Sequence, residues 1–378
     1  MECQKHLFQI PEGIHYLNCA YMSPLLKSVE EKGIEGMRMK RNPIAIKPTD
    51  FFTGLVGVRE KFGEMINCSP ERVAFMPSVS YGMNSVITNI PFKAGQHALT
   101  ISEEFPSCYY SAQRWCSSHG AELKVVARRE DVPEKAMDWN QRILEAIGTK
   151  TAFVVMASVH WMNGCLFDLE QIGARCKEVG AKLIVDGSQS VGALPLDVRK
   201  FHISALVCAA YKWLMGPYST ALSYIHEDFN EGIPIEESWM TRPNSERFDR
   251  LTQYEQGYKP GAVRFDVGQS SNFILVPMLD EALRQLLDWG IANIQDYGRQ
   301  LTEPLIRHFI ERGAHVENEA HRAHHLLGLP LPPGTDGEAL VGELQARNVY
   351  VSLRGDNIRI SVNVFNTEED VRELMAAL

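Results

Sequence analysis

The sequence predicts an α/β protein, with a large domain on a mainly parallel sheet and a smaller C-terminal α+β domain. Three observations predict it. From about residue 50 to 225, short apolar runs alternate with helical patterns, and such alternation implies a parallel sheet covered on both faces. After Pro277 the texture changes, with two amphipathic segments followed by short strands and a last helix. The chain has 378 residues, 45% of them hydrophobic, which is enough to bury a large core and fill two domains.

The elements follow in order. The opening MECQKHLFQIPEG has no apolar stretch of the kind that starts a secretory leader, and no apolar run approaches the length of a membrane span. Eight cysteines occur without a CxxC pair, so no zinc signal is present and the thiols read as reduced. A soluble, cytoplasmic protein is the expectation. The net charge of −9 argues against nucleic acid or an anionic membrane as the main partner. Strands are predicted at 72–76, 98–101, 151–157, 182–185, 205–208 and 220–224. A helix is predicted over 168–179, where Leu169, Ile172, Cys176 and Val179 share a face. Asp168 and Gln171 form its cap pair and Gly180 its stop. A second amphipathic helix covers 277–290, and another runs on to Gly313. Strands near 349–353 and 358–362 precede a final helix that starts at Thr367, with Asp370 as its cap partner. The expected division is 15–265 for the large domain and 266–378 for the small one, with 1–14 joining the small domain.

Chemistry concentrates between residues 182 and 224. The strand at 182–185 runs into Asp186, Gly187, Ser188 and Gln189, and the strand at 205–208 leads into Tyr211 and Lys212. Ligands in open parallel sheets sit beyond the carboxyl ends of strands. A lysine amine there can form an imine with an aldehyde. A carboxylate can hold a proton on a ring nitrogen. Taken singly, Asp186 reads as a turn cap and Lys212 as a solvated charge. The pair at two strand ends gives the functional reading weight, and spacing alone leaves both readings standing. His321, His324 and His325 suggest a metal face, but no nearby Cys or carboxylate completes it. No GxGxxG follows a strand and no GxSxG occurs.

The run DGSQSVGALPLDV from Asp186, followed by YKWLMGP from Tyr211, resembles the cofactor segment of class V aminotransferase-like enzymes. These are fold type I proteins that use pyridoxal 5′-phosphate (PLP) and include aminotransferases, cysteine desulfurases, kynureninases and an amino-acid epimerase. The resemblance covers most of the chain. It implies that Lys212 carries the cofactor as a Schiff base and moves protons. It implies that Asp186 faces the pyridine nitrogen, that Gln189 bonds the phenolic oxygen and that Ser188 lies beside the cofactor. The turn FMPSVSYGMN from Phe75 would hold the phosphate through the Val79 N–H and Ser80, since a helix N-terminus favours an anion. Phe105, in EFPS, would stack on the cofactor ring. Trp161, Asn18 and Arg359 would meet the substrate, Arg359 gripping its α-carboxylate through two parallel hydrogen bonds. Arg354 stays open between a like role and a purely structural one. Gln269 and Ser270 would reach the phosphate of a neighbouring subunit, which implies a homodimer.

Two departures from the family pattern stand out. Ala209 occupies a position where the family often has a Ser or Thr, and Tyr211 precedes the lysine where a His is common, so the Tyr211 hydroxyl is expected at the phosphate. No cysteine follows Cys208, which removes the nucleophilic thiol that a desulfurase needs. The resulting expectation is an aminotransferase acting on an α-amino acid. A kynureninase-like or C–S lyase, an epimerase and a non-enzymatic binding protein are the alternatives.

Overall fold

A computed structural model describes residues 1–332 and 334–378. The chain begins with β1 (His15–Tyr16), α1 (Lys27–Met39) and α2 (Asp50–Ile66). There follow β2 (Val73–Met76), α3 (Val79–Ile87), β3 (His97–Ile101), α4 (Pro106–His119), β4 (Glu122–Val126), α5 (Lys135–Ala146) and β5 (Thr151–Ala157). The central part closes with α6 (Leu169–Val179), β6 (Lys182–Asp186), β7 (Ala205–Ala209) and β8 (Ala221–Ile225). The rest comprises α7 (Leu275–Trp289), α8 (Ile291–Glu311), β9 (Leu326–Pro330), α9 (Gly337–Ala346), β10 (Val349–Tyr350), β11 (Ser352–Arg354), β12 (Asn357–Ser361) and α10 (Glu368–Met375).

Seven strands form one sheet in the order β2-β8-β7-β6-β5-β3-β4. The pairs β4–β3, β3–β5, β5–β6 and β6–β7 are parallel, whereas β8 runs antiparallel to both its neighbours. The carboxyl ends of β2, β3, β5, β6 and β7 therefore emerge at one edge of the sheet, where β8 begins. All of β5 is buried. Its alternate residues feed two cores, with Val154 and Met156 on one face and Phe153 and Val155 on the other, because side chains alternate along a strand. Asp168 caps α6 as expected, accepting from the Gln171 N–H at 3.0 Å, and Gly180 ends that helix at φ 76°.

A third core gathers Leu17, Leu305, Leu327, Val349, Ile358, Val362 and Leu374. It lies under the antiparallel sheet β11-β12-β9 and the parallel pair β1–β10. Contacts cross the boundaries of the expected 15–265 and 266–378. His15 and Tyr16 pair with Val349 and Tyr350, so the first strand belongs to the small body. In the other direction, Val276, Leu279, Leu283 and Leu286 of α7 join the large core beside Val29 and Leu55. An apolar stripe fixes which face of α7 is buried but not its partner, and the partners are α1 and α2. Gly290, at φ 78°, marks the turn between the two bodies.

Candidate active site

The strand ends converge on a cavity of about 310 Å³ whose wall includes Val79, Ser80, Phe105, Trp161, Asp186, Ser188, Gln189, Tyr211 and Lys212. A larger cleft of about 580 Å³ lies around Lys182, Ser204 and His226, at the opposite edge of the sheet, and contains none of these side chains. Chemistry, not size, selects the first.

Asp186 ends β6 with its carboxylate almost wholly buried. Oδ1 accepts from the Ser188 N–H at 2.8 Å, and Oδ2 accepts from the Cys108 thiol at 3.5 Å. Ser188 Oγ in turn accepts from the Ala209 N–H at 3.1 Å, which ties the Asp186 turn to the end of β7. Lys212 follows β7 and is only 8% exposed. Its Nζ stands 5.6 Å from the centroid of the Phe105 ring and 5.7 Å from that of Tyr211. Burial pushes this amine down to about 8, against the pull of Asp186 and with the push of Arg359 and Arg354.

Gln189 has its amide orientation fixed. Trp213 Nε1–H donates to Oε1 at 2.8 Å, and Nε2 donates to the Ala20 carbonyl at 3.2 Å. An amide nitrogen carries two N–H groups, so a further donor remains on a side chain that lines the cavity. At the start of α3, Ser78 Oγ accepts from the Tyr81 N–H at 3.2 Å and lies 3.0 Å from Ser80 Oγ. The Val79 and Ser80 N–H groups belong to the first turn, which has no intrahelical acceptor, and both residues face the cavity. Phe105 and Trp161 meet edge-on at 5.6 Å between centroids. Trp161 Nε1–H donates to the Glu103 carbonyl at 2.7 Å.

Arg359 does not line this cavity but is 1% exposed, with Nη1 donating to the Trp161 carbonyl at 2.9 Å. Its Nε and Nη2 are buried with no partner among the described residues. These two atoms form the side edge of the guanidinium, which matches a carboxylate with two parallel hydrogen bonds. Burial, and then Arg354, push its pKa down to about 9. Asn18 also lies outside the cavity, where its Oδ1 accepts from Ser352 Oγ at 2.8 Å. Gln269 is exposed at φ 58° and Ser270 is buried; neither reaches the cavity of its own chain. His325 is buried against Gln189, with its Nε2 2.7 Å from the Gln189 carbonyl oxygen.

Sequence reasoning gave Glu104 no role. It is buried on the cavity wall, and its two oxygens accept from the Phe105 N–H at 2.6 Å and the Ala157 N–H at 2.8 Å. Burial, reinforced by Asp186, raises its pKa to about 8. The only sequence signal was a second acid directly before Phe105. Cys108, Tyr218 and Thr220 were missed as well, since their places depend on neighbours distant in the chain.

Such a constellation defines a class: an α/β protein with a buried amine and a buried carboxylate at adjoining strand ends, a helix start open to an anion, and an unpaired guanidinium behind them. The chain belongs to the aminotransferase class-V family, whose model matches residues 48–374. It is 24% identical to the uncharacterized aminotransferase YcbU of Bacillus subtilis, over 87% of this chain and 82% of that protein. It is also 24% identical to isopenicillin N epimerase of Streptomyces clavuligerus, over 96% of this chain and 93% of that one. The solved apo cysteine desulfurase of Thermococcus onnurineus superposes with a TM-score of 0.86 at 19% identity, covering 100% of this chain and 97% of the other. The cystine C–S lyase C-DES, in complex with its product cysteine persulfide, superposes with a TM-score of 0.86 at 20% identity, covering 97% of each chain. The fold is fold type I, and the cofactor of this family is PLP. The open Gln189 donor, the free first turn of α3 and the buried amine fit that group.

Proposed function

We propose that the protein is a PLP-dependent aminotransferase acting on an α-amino acid. The observation that carries the substrate class is the Nε and Nη2 edge of Arg359, buried without a partner among the described residues. A cation so placed is costly until an anion meets it, and the α-carboxylate of an amino acid has the matching shape. Lys212 would hold the cofactor through its amine, with Asp186 keeping the ring nitrogen protonated. Ser188 would brace Asp186, and Gln189 would donate to the phenolic oxygen. Val79, Ser80 and Tyr211 would take the phosphate, and Phe105 would cover the ring. When bound, PLP supplies an electron sink for the bonds at the substrate α-carbon.

The chain's own groups fit amino transfer. Among the described residues, Lys212 is the one aliphatic amine on the cavity wall, and a single amine can lift and return a proton on one face. Phe105 and Trp161 give the same cavity an aromatic part of its wall, and Trp161 would limit the size of the side chain and Asn18 border its pocket. A desulfurase needs a thiol on a mobile loop, but between Arg354 and Asn357 stand only Gly355 and Asp356. Gln269 and Ser270 would complete the phosphate site of a second copy in a homodimer.

The test incubates purified holoenzyme with a panel of amino acids, with and without a 2-oxo acid, followed by product mass and chirality. Amino transfer to the oxo acid is the expected outcome. Release of ammonia or a cleaved side chain would mean a lyase or hydrolase, and inversion alone would mean an epimerase; either result overturns the assignment.

A further inference from the structure

Arg359 accounts for one carboxylate, yet a second cation faces the same way. In the β11–β12 hairpin, Ser352 stands opposite Arg359, Leu353 opposite Ile358 and Arg354 opposite Asn357. Opposed residues share a face of a sheet, and successive residues alternate. Arg354 and Arg359 therefore project from one face, while Ile358 projects from the other into the small core. The arginine face looks toward the N-terminal arm and the end of β5. Ser352 reaches Asn18 at 2.8 Å, and Arg359 reaches the Trp161 carbonyl at 2.9 Å. Gly355, next to Arg354, abuts Met162, whose Cε would lie 3.1 Å from an added Cβ.

Neither guanidinium is neutralised. Arg354 donates from Nη1 to its neighbour's carbonyl at Leu353, 2.7 Å away. The hydrogen bonds of both guanidiniums go to backbone carbonyls, at Leu353 and at Trp161, and neither pairs with a carboxylate among the described residues. Arg354 and the Tyr16 phenol bear on Arg359, and the Tyr21 phenol bears on Arg354. Both cations also bear on the Lys212 amine, so they belong to the surroundings of the reacting centre. Two like charges on one face, one of them fully buried, oppose folding unless anions meet both.

We infer that the substrate is an α-amino acid whose side chain ends in a second carboxylate, which is seated on Arg354 while Arg359 holds the α-carboxylate. This rests on the reading of Arg359 given above. Arg359 is buried, whereas Arg354 is half-buried beside the exposed Tyr21. The second carboxylate thus sits nearer the mouth, and the substrate side chain extends outward.

Calorimetric titration of the holoenzyme tests this without turnover, using glutarate and succinate against valerate and butyrate. The dicarboxylates should bind roughly 10- to 100-fold more tightly, as expected for a charge-assisted guanidinium–carboxylate pair. Arg354→Gln should bring their Kd to that of the monocarboxylates, and Arg354→Lys should restore part of the preference. Equal binding of the two classes by the unaltered protein, or a preference that survives Arg354→Gln, overturns the inference. If Arg359→Gln leaves the binding of every acid unchanged, the α-carboxylate seat itself is wrong, and this failure is distinct from the first two.

Discussion

Lys212 loses its charge near pH 8, not near the usual lysine value, because burial outweighs the attraction of Asp186. The sign follows directly. Below about 8 the amine is protonated in both folded and unfolded protein. Between about 8 and 10.4 only the unfolded chain keeps the proton, so stability from this group rises with pH across that window. The neutral amine is the nucleophile, so apoenzyme should take up PLP faster as pH rises, with a midpoint near 8. Stopped-flow absorbance at a series of pH values measures this, and a midpoint near that of free lysine would contradict it. Arg359→Gln should move the midpoint upward, since it removes a positive charge that disfavours protonation. Lys212 and Asp186 were legible as candidates because each stands close after an apolar run, and the resemblance of the DGSQSVGALPLDV and YKWLMGP segments to a known family gave them their expected roles. Glu104 was not, because its burial depends on the Ala157 N–H of β5 and on Asp186 at the end of β6. The sequence left the role of Arg354 open because its lack of a carboxylate partner is a property of the assembled hairpin face.

At the scale of elements, the phosphate turn is held in place by the close seating of α3 on the sheet. A Cβ at Gly82 would lie 2.6 Å from Val207 Cγ1, 3.0 Å from Ser223 Oγ and 3.1 Å from Met76 Sδ. Gly82→Ala should therefore lift α3 and carry Val79 and Ser80 with it. The expected cost is about 1–3 kcal/mol of stability, as for other overpacked cores. Affinity for PLP should drop roughly tenfold, the equivalent of about 1.4 kcal/mol. Gly342→Ala in α9 is the control, since a Cβ there meets nothing within 4 Å, and it should leave cofactor affinity unchanged. Equal effects of the two substitutions on PLP binding would refute the seating argument. The buried strands β2, β3, β5, β6, β7 and β8 were visible in the sequence as apolar runs. The edge strand β4 was not, because Glu122 and Lys124 interrupt it and most of it is only partly covered. The strand expected at 349–353 divides in two. Val349–Tyr350 pairs with β1, while Ser352–Arg354 pairs with β12. An alternating run specifies extended chain, and the choice of partner is made by the tertiary fold.

Across the whole molecule, the two bodies are joined by a polar strut that ends on the cofactor turn. Gln295 Nε2 donates to the Ala193 carbonyl at 2.6 Å and to His325 Nδ1 at 2.9 Å, while its Oε1 accepts from the His324 N–H at 3.0 Å. Both amide hydrogens are thereby used, so Nδ1 of His325 is an acceptor and Nε2–H donates to the Gln189 carbonyl at 2.7 Å. Trp213 closes the ring on one side, edge-on at 4.5 Å. His325, which the sequence grouped with a metal face, is thus a neutral imidazole bracing Gln189. Burial pushes its pKa down to about 4, with His324 adding to the effect and the Gln189 hydrogen bond opposing it. A proton on Nδ1 would face the Gln295 N–H groups, so acid must break the strut. The unfolded chain protonates this histidine near 6.5, and stability from this group is present above that value and lost as pH falls toward 4. The full loss is on the order of 3 kcal/mol, since each tenfold change in proton affinity is worth about 1.36 kcal/mol. His160, also buried with its pKa pushed to about 4, adds a parallel loss. Thermal melts between about pH 4 and 7 should show a steep acid decline in the unaltered protein. His325→Asn should have a lower melting temperature at neutral pH but a shallower decline. It should also alter the absorbance of bound PLP, because the Gln189 backbone carbonyl loses its hydrogen bond to His325 while its side chain keeps those to Trp213 and Ala20. A variant with the same acid slope as the unaltered protein and unchanged cofactor absorbance would show that the strut neither senses acid nor positions the cofactor turn.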